Sequence, residues 1–137
     1  MSLDRFVAAQ DPVWDEVVAE LTAGRKRTHW MWFVFPQIAG LGRSGMAQRY
    51  ALASVAEAAE YADHPVLGPR LRLATGLVLG HAGQPAEAVL GGIDAMKFRS
   101  SMTLFALARP GEPCFGAALD AFWDGAPDPA TLDLVAG

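Results

Sequence analysis

The sequence predicts an all-α protein: a compact single-domain bundle of about seven to nine short helices. Three observations carry this. Prolines stand where helices should start, glycines stand where they should stop, and alternation at period two is nearly absent. The 137 residues are within the usual size of one domain. Charged residues make up only 19% and apolar residues 52%, which argues for a real core and against disorder.

The elements follow in order. A short helix is expected over 3–9 and a second over 12–23, with Asp11-Pro12 as its start and Gly24 as its stop. Val13, Val17, Val18 and Leu21 recur at helical spacing in the second. The aromatic run Trp30 to Phe35 favours a strand by propensity. No partner strand is evident, so 26–35 is read as a buried helix ended by Pro36. Residues 45–62 are Ala-rich and read as helix, with Ser54 as a second cap inside it. Further helices are expected over 65–82, 85–90, 94–108, 113–123 and 129–135. Pro69 sits deep enough to set the first turn of the 65–82 helix apart, and Ser100-Ser101 is a possible kink. Gly83 and Gly125 serve as stops, and Asp128-Pro129 is the best-formed start after Asp11-Pro12.

The bulk numbers exclude several classes. A net charge of −4 and a sequence pI of about 5.2 lack the basic face of a nucleic-acid binder. The apolar run Trp30 to Phe35 is too short for a membrane span, and no signal peptide begins the sequence. A cytoplasmic monomer is the default expectation. Cys114 is the lone cysteine, and no basic neighbour activates it, so it reads as a small core residue. His29, His64 and His81 show no pairing with a carboxylate motif, so neither a metal nor a cofactor is expected.

Candidate function concentrates in two segments. Lys26, His29, Trp30, Trp32, Gln37, Gly42, Arg43 and Ser44 crowd the first. The second reads Asp94, Lys97, Ser100 and Ser101. Indoles stack on planar rings, Gln37 can read a ring edge, and Lys26 or Arg43 can hold a phosphate. His29 has the unperturbed pKa suited to acid–base work near neutrality, and Asp94 offers a carboxylate general base. The serines can instead bond back to helix carbonyls, and Asp94 can simply pair with Lys97. Gly40-Leu41-Gly42-Arg43-Ser44-Gly45 spells G-x-G-x-x-G, with Glu60 about 20 residues on. No βαβ series surrounds it, so the reading kept is a Gly-rich turn that can present N–H groups to an anion.

The chemistry suits a nucleotide-like small molecule, bound or hydrolysed by His29, Asp94 and Lys97 in a pocket joining 26–44 and 94–101. The other reading is a non-catalytic interaction module, its Trp/Phe cluster partly core and partly a docking patch.

The run His29-Trp30-Met31-Trp32-Phe33-Val34-Phe35-Pro36-Gln37, then Gly40-Leu41-Gly42 and Ser44, resembles a bacterial and fungal family of unknown function. The similarity continues through His64-Pro65-Val66-Leu67-Gly68, Asp94-x-x-Lys97-Phe98-x-Ser100-Ser101-Met102-Thr103-Leu104-Phe105 and Asp128-x-x-Thr131. Members are often labelled calpastatin, a disordered inhibitor, whereas this composition is that of a folded domain. The resemblance implies a compact all-α domain and no established activity. A more distant similarity is to the NADAR superfamily, which acts on ADP-ribose N-glycosides. It rests on Lys97-Phe98, while Thr28-His29-Trp30 stands where that superfamily has an acidic residue.

Overall fold

The structure is a computed structural model and describes residues 2–137. It is all-α, as the punctuation predicts. Among the described residues ten α-helices run in chain order: α1 Asp4–Gln10, α2 Trp14–Ala23, α3 Met31–Val34, α4 Gly45–Arg49, α5 Val55–Asp63, α6 Leu67–Leu79, α7 Ala86–Leu90, α8 Gly92–Ala108, α9 Pro113–Trp123 and α10 Pro129–Ala136. The one helix beyond the expected seven to nine arises because the 45–62 stretch forms two, α4 and α5.

Helix α8 is the central element and packs against α5, α7, α9 and α10. Its C-terminal half, from Ser101 to Phe105, is buried on every side, which suits a helix with neighbours all around it. Aromatic edges lock it to the rest of the core. Phe35 meets Phe98 at 4.8 Å, and Phe105 meets Tyr61 at 5.4 Å and Phe115 at 5.5 Å. All the buried apolar residues form one contiguous cluster.

Several caps are as read. The Ser54 hydroxyl accepts from Glu57 N–H and the Asp128 carboxylate from Thr131 N–H, while Ser44, read as an anion contact, also proves to be a cap, accepting from Ala47 N–H. Gly24 closes α2 in the left-handed region with φ 72°. The α8 helix runs unbroken through Ser100-Ser101 and starts two residues earlier than expected, at Gly92. Ser100 and Thr103 do bond back to the carbonyls of Met96 and Arg99.

Four expectations are corrected. Residues 26–30 are not helical, and only Met31–Val34 turns. The stretch 45–62 is two helices, because the chain straightens at Leu52 to form a parallel bridge with Ile38. Leu52 N–H donates to Gln37 O at 2.9 Å and Ala39 N–H to Leu52 O at 2.8 Å, and the Leu52 side chain is fully buried. A long-range pull therefore overrides the helical propensity of the alanines. Asp11 caps nothing: α1 passes into α2 through a 3₁₀ turn over Asp11–Val13, and the Asp11 carboxylate pairs with Arg70 at 2.9 Å. Helix α6 ends at Leu79, before Gly83. Pro69 lies in its first turn, where its missing N–H has no intrahelical partner to lose. His64 Nδ1 accepts from Val66 and Leu67 N–H there and serves as the cap.

Among the described residues, Ser101 Oγ is the one buried side-chain polar atom with no hydrogen-bond partner. An unpaired hydroxyl in an apolar core costs stability. Ser101→Ala should therefore leave the protein equally stable or more stable by about 1 kcal/mol, read from urea unfolding. A clear loss of stability would show that the hydroxyl is satisfied.

Candidate functional site

The segment between α2 and α3 has no helical ladder, and one side chain organises it. Glu20, in the last turn of α2, accepts from Arg27 N–H at 2.7 Å, Thr28 N–H at 3.0 Å, Thr28 Oγ1 at 2.6 Å and Trp30 Nε1 at 3.1 Å. These contacts compete with helix formation and win, because they satisfy a carboxylate that is only 8% exposed. Burial pushes the Glu20 pKa up, but the hydrogen bonds from Thr28, Arg27 and Trp30 outweigh it and lower it from 4.5 to about 2.

Held in this way, the loop lies along the start of α8. Lys26 N–H donates to Val89 O at 2.8 Å, which fastens the loop to α7 just before Gly91. The Lys26 side chain is only 5% exposed. Its Nζ lies 2.8 Å from Asp94 Oδ2 and 4.7 Å from the centre of the Trp30 ring. Asp94 Oδ1 lies 3.9 Å from Lys97 Nζ, and that ammonium sits 5.1 Å from the centre of the Trp32 ring. The two sequence segments thus meet through a Lys–Asp–Lys chain. Two cations face one anion, so the cluster keeps one positive charge beyond its internal pairing.

These residues line an open cleft of about 430 Å³ with His29, Met31, Trp32 and the helix start Leu90 to Ile93. The size is that of a small-molecule pocket. Gly91 has φ 86°, which excludes other residues at low cost, and a Cβ at Gly91 or Gly92 would meet nothing within 4 Å. Two residues without side chains, Gly91 and Gly92, thus line the cleft at the start of a 17-residue helix, whose first turn leaves N–H groups without intrahelical partners. A second cleft of about 380 Å³ adjoins the first, sharing Ile93 and Lys97, and includes Gln37, Gly42, Ser100 and Asp128.

The remaining candidates lie elsewhere. Trp30 is 1% exposed and its indole N–H is committed to Glu20, so it belongs to the core. Ser101 is fully buried. Ser44 caps α4, and Arg43 is exposed and borders neither cleft. The glycine pattern serves packing: a Cβ on Gly42 would lie 2.3 Å from that of Ala47, and Gly40, with φ 104°, lies against Leu134. Cys114 is half-buried, and burial pushes its thiol up to about 11, away from nucleophilic use. No group of three His, Cys, Asp or Glu residues among those described is placed to hold a metal ion. No described helix is long and apolar enough to cross a membrane.

The family model described as "Protein of unknown function (DUF1810)" matches residues 1–135. The chain belongs to the DUF1810 family. The crystal structure of the conserved hypothetical protein Rv1873 from Mycobacterium tuberculosis superposes with a TM-score of 0.96 at 50% identity, covering 98% of this chain and 96% of that one. No curated protein matches. For this DUF1810 chain the family name and the neighbour supply a fold and no activity, so function is argued from the clefts.

Two contributions escaped the sequence. Glu20 reads as an ordinary solvated helix residue, and its only signal is a carboxylate eight positions before Thr28. Gly91-Gly92 directly before Ile93-Asp94 was the visible mark of a bare helix start.

Glu20 gives a pH signature. Its folded pKa is depressed, so its stabilisation is present above 4.5 and is lost as the pH falls toward about 2. Glu20→Gln should cost about 1–3 kcal/mol at neutral pH. The gap from wild type should narrow over that acid range in denaturant unfolding followed at several pH values. A gap that does not change with pH would contradict this assignment.

Proposed function

We propose that the protein binds a nucleotide-like small molecule, of the ADP-ribose or N-glycoside type, in the first cleft. The observation that supports this best is the Lys26–Asp94–Lys97 chain at the uncovered start of α8, beside the partly buried Trp32. Helix N–H groups and the surplus lysine charge suit a phosphate. Trp32 supplies the aromatic surface on which a base can rest.

The same cleft has the groups for hydrolysis of an N-glycosidic bond. The oxygen of water bonds to the anomeric carbon as the carbon–nitrogen bond breaks. Asp94 takes the proton from water, and His29, at the exposed rim, protonates the departing nitrogen. Lys97 offsets negative charge on the ligand phosphates. A second reading, docking of a protein partner, is favoured by Ile93 and Met96, which are 77% and 56% exposed beside the clefts.

Titration with ADP, ADP-ribose and NAD separates these readings. A true ligand at 100 times its dissociation constant should stabilise the fold by about 2.7 kcal/mol. Lys97→Ala should weaken that ligand about tenfold, the loss of one charge-assisted contact, while the melting temperature of the free protein stays put. Release of free base from NAD, followed by chromatography and abolished by Asp94→Asn, would add the hydrolytic step. Binding without release would leave a binder. No response to any of the three would favour the docking module.

A further inference from the structure

The second cleft contains a carboxylate that helix capping does not use up. Asp128 is 7% exposed. Its Oδ2 takes every contact the fold provides: Ser100 Oγ at 3.0 Å, Thr131 N–H at 3.1 Å and Thr131 Oγ1 at 2.6 Å. Capping α10 needs no more than this oxygen. Oδ1 receives no hydrogen bond from any described residue, and it is not among the fully enclosed unpartnered atoms. It therefore keeps access to solvent, and Asp128 lines the second cleft together with Gln37, Lys97 and four apolar residues.

An ionised carboxylate oxygen only accepts, so its complement must donate. Its twin oxygen is fixed by three donors, which makes Oδ1 a rigid acceptor rather than a mobile surface charge. Gln37 has no side-chain partner among the described residues and adds an amide to the same space. Lys97 belongs to both clefts, so a ligand with its anion in the first places its neighbouring atoms in the second. A group with several donors, attached close to a phosphate, is the hydroxyl face of a sugar phosphate. Carboxylates accept from ribose hydroxyls in just this manner elsewhere.

We infer that the second cleft is a sugar subsite, in which Asp128 Oδ1 accepts from the vicinal hydroxyls of a phosphorylated pentose whose phosphate lies against Lys97. This rests on the first cleft being an anion site, as proposed above.

The test is calorimetric or NMR titration with inorganic phosphate, ribose 5-phosphate and 2-deoxyribose 5-phosphate. Ribose 5-phosphate should bind about tenfold tighter than its 2-deoxy counterpart, one charge-assisted hydrogen bond being at stake. Asp128→Asn keeps an oxygen to cap α10, so the protein should still fold, with its melting temperature lowered by only a few degrees. It should erase the preference while leaving phosphate binding unchanged. Gln37→Ala, which touches no cap, should lower the affinity for ribose 5-phosphate without affecting phosphate. Equal affinity for the two sugars in the wild type would overturn the subsite and leave the anion site standing. A parallel loss of phosphate binding in Asp128→Asn would also overturn it, by showing that Asp128 acts through the fold of α10. Failure of all three probes to bind would remove both the subsite and the anion site.

Discussion

The Glu20 carboxylate is the constraint on which the site depends. Residues 26–29 have no helical or sheet bonds of their own, yet Lys26 within them is nearly buried and placed against Asp94. Four hydrogen bonds to Glu20, together with Lys26 N–H on Val89, supply the order that secondary structure does not. A carboxylate is suited to this because each of its oxygens can accept more than one donor. Its burial is tolerated only because every donor is in place, so removing the negative charge releases the whole loop rather than one contact.

Helix α8 works at both ends for opposite reasons. From Ser101 to Phe105 it is the buried centre of the core, with apolar neighbours on all sides. At Gly91-Gly92 it emerges uncovered, and Asp94 and Lys97 in its first turns face the loop. A site on the end of a helix whose other half is clamped in the core inherits that rigidity. The Lys–Asp–Lys chain then holds its geometry without needing a ligand to assemble it, and the binding proposed here would carry a lower ordering cost for that reason.

Much of the fold was legible in local chemistry. Ser54 and Asp128 cap the helices they precede, and Gly24 takes the left-handed turn that ends α2. Where the reading failed, a distant group had intervened. Glu20 unwinds 26–30, and the Ile38–Leu52 bridge splits the alanine-rich 45–62 stretch. With helical turning confined to Met31–Val34, Trp30 goes inward to Glu20 and Trp32 stays at the cleft. Both segments were visible, because the polar run Arg25 to His29 abuts an aromatic one and Asp94 and Lys97 are charges set among apolar residues. Their meeting was not, since it depends on how α7 and α8 pack. Asp128 was read correctly as a cap, but sequence cannot show that one of its oxygens remains open.

The four tryptophans offer a direct check on the cleft. In a nitrogen–proton correlation spectrum each indole N–H gives its own signal, and a nucleotide can be titrated against all four at once. With ADP as the titrant, the Trp32 signal should move most, while those of Trp14 and Trp123, which do not line the cleft, stay in place. Movement led by Trp14 or Trp123, or no movement at concentrations well above those of cellular nucleotides, would contradict the claim that the Lys26–Asp94–Lys97 cleft is the working site.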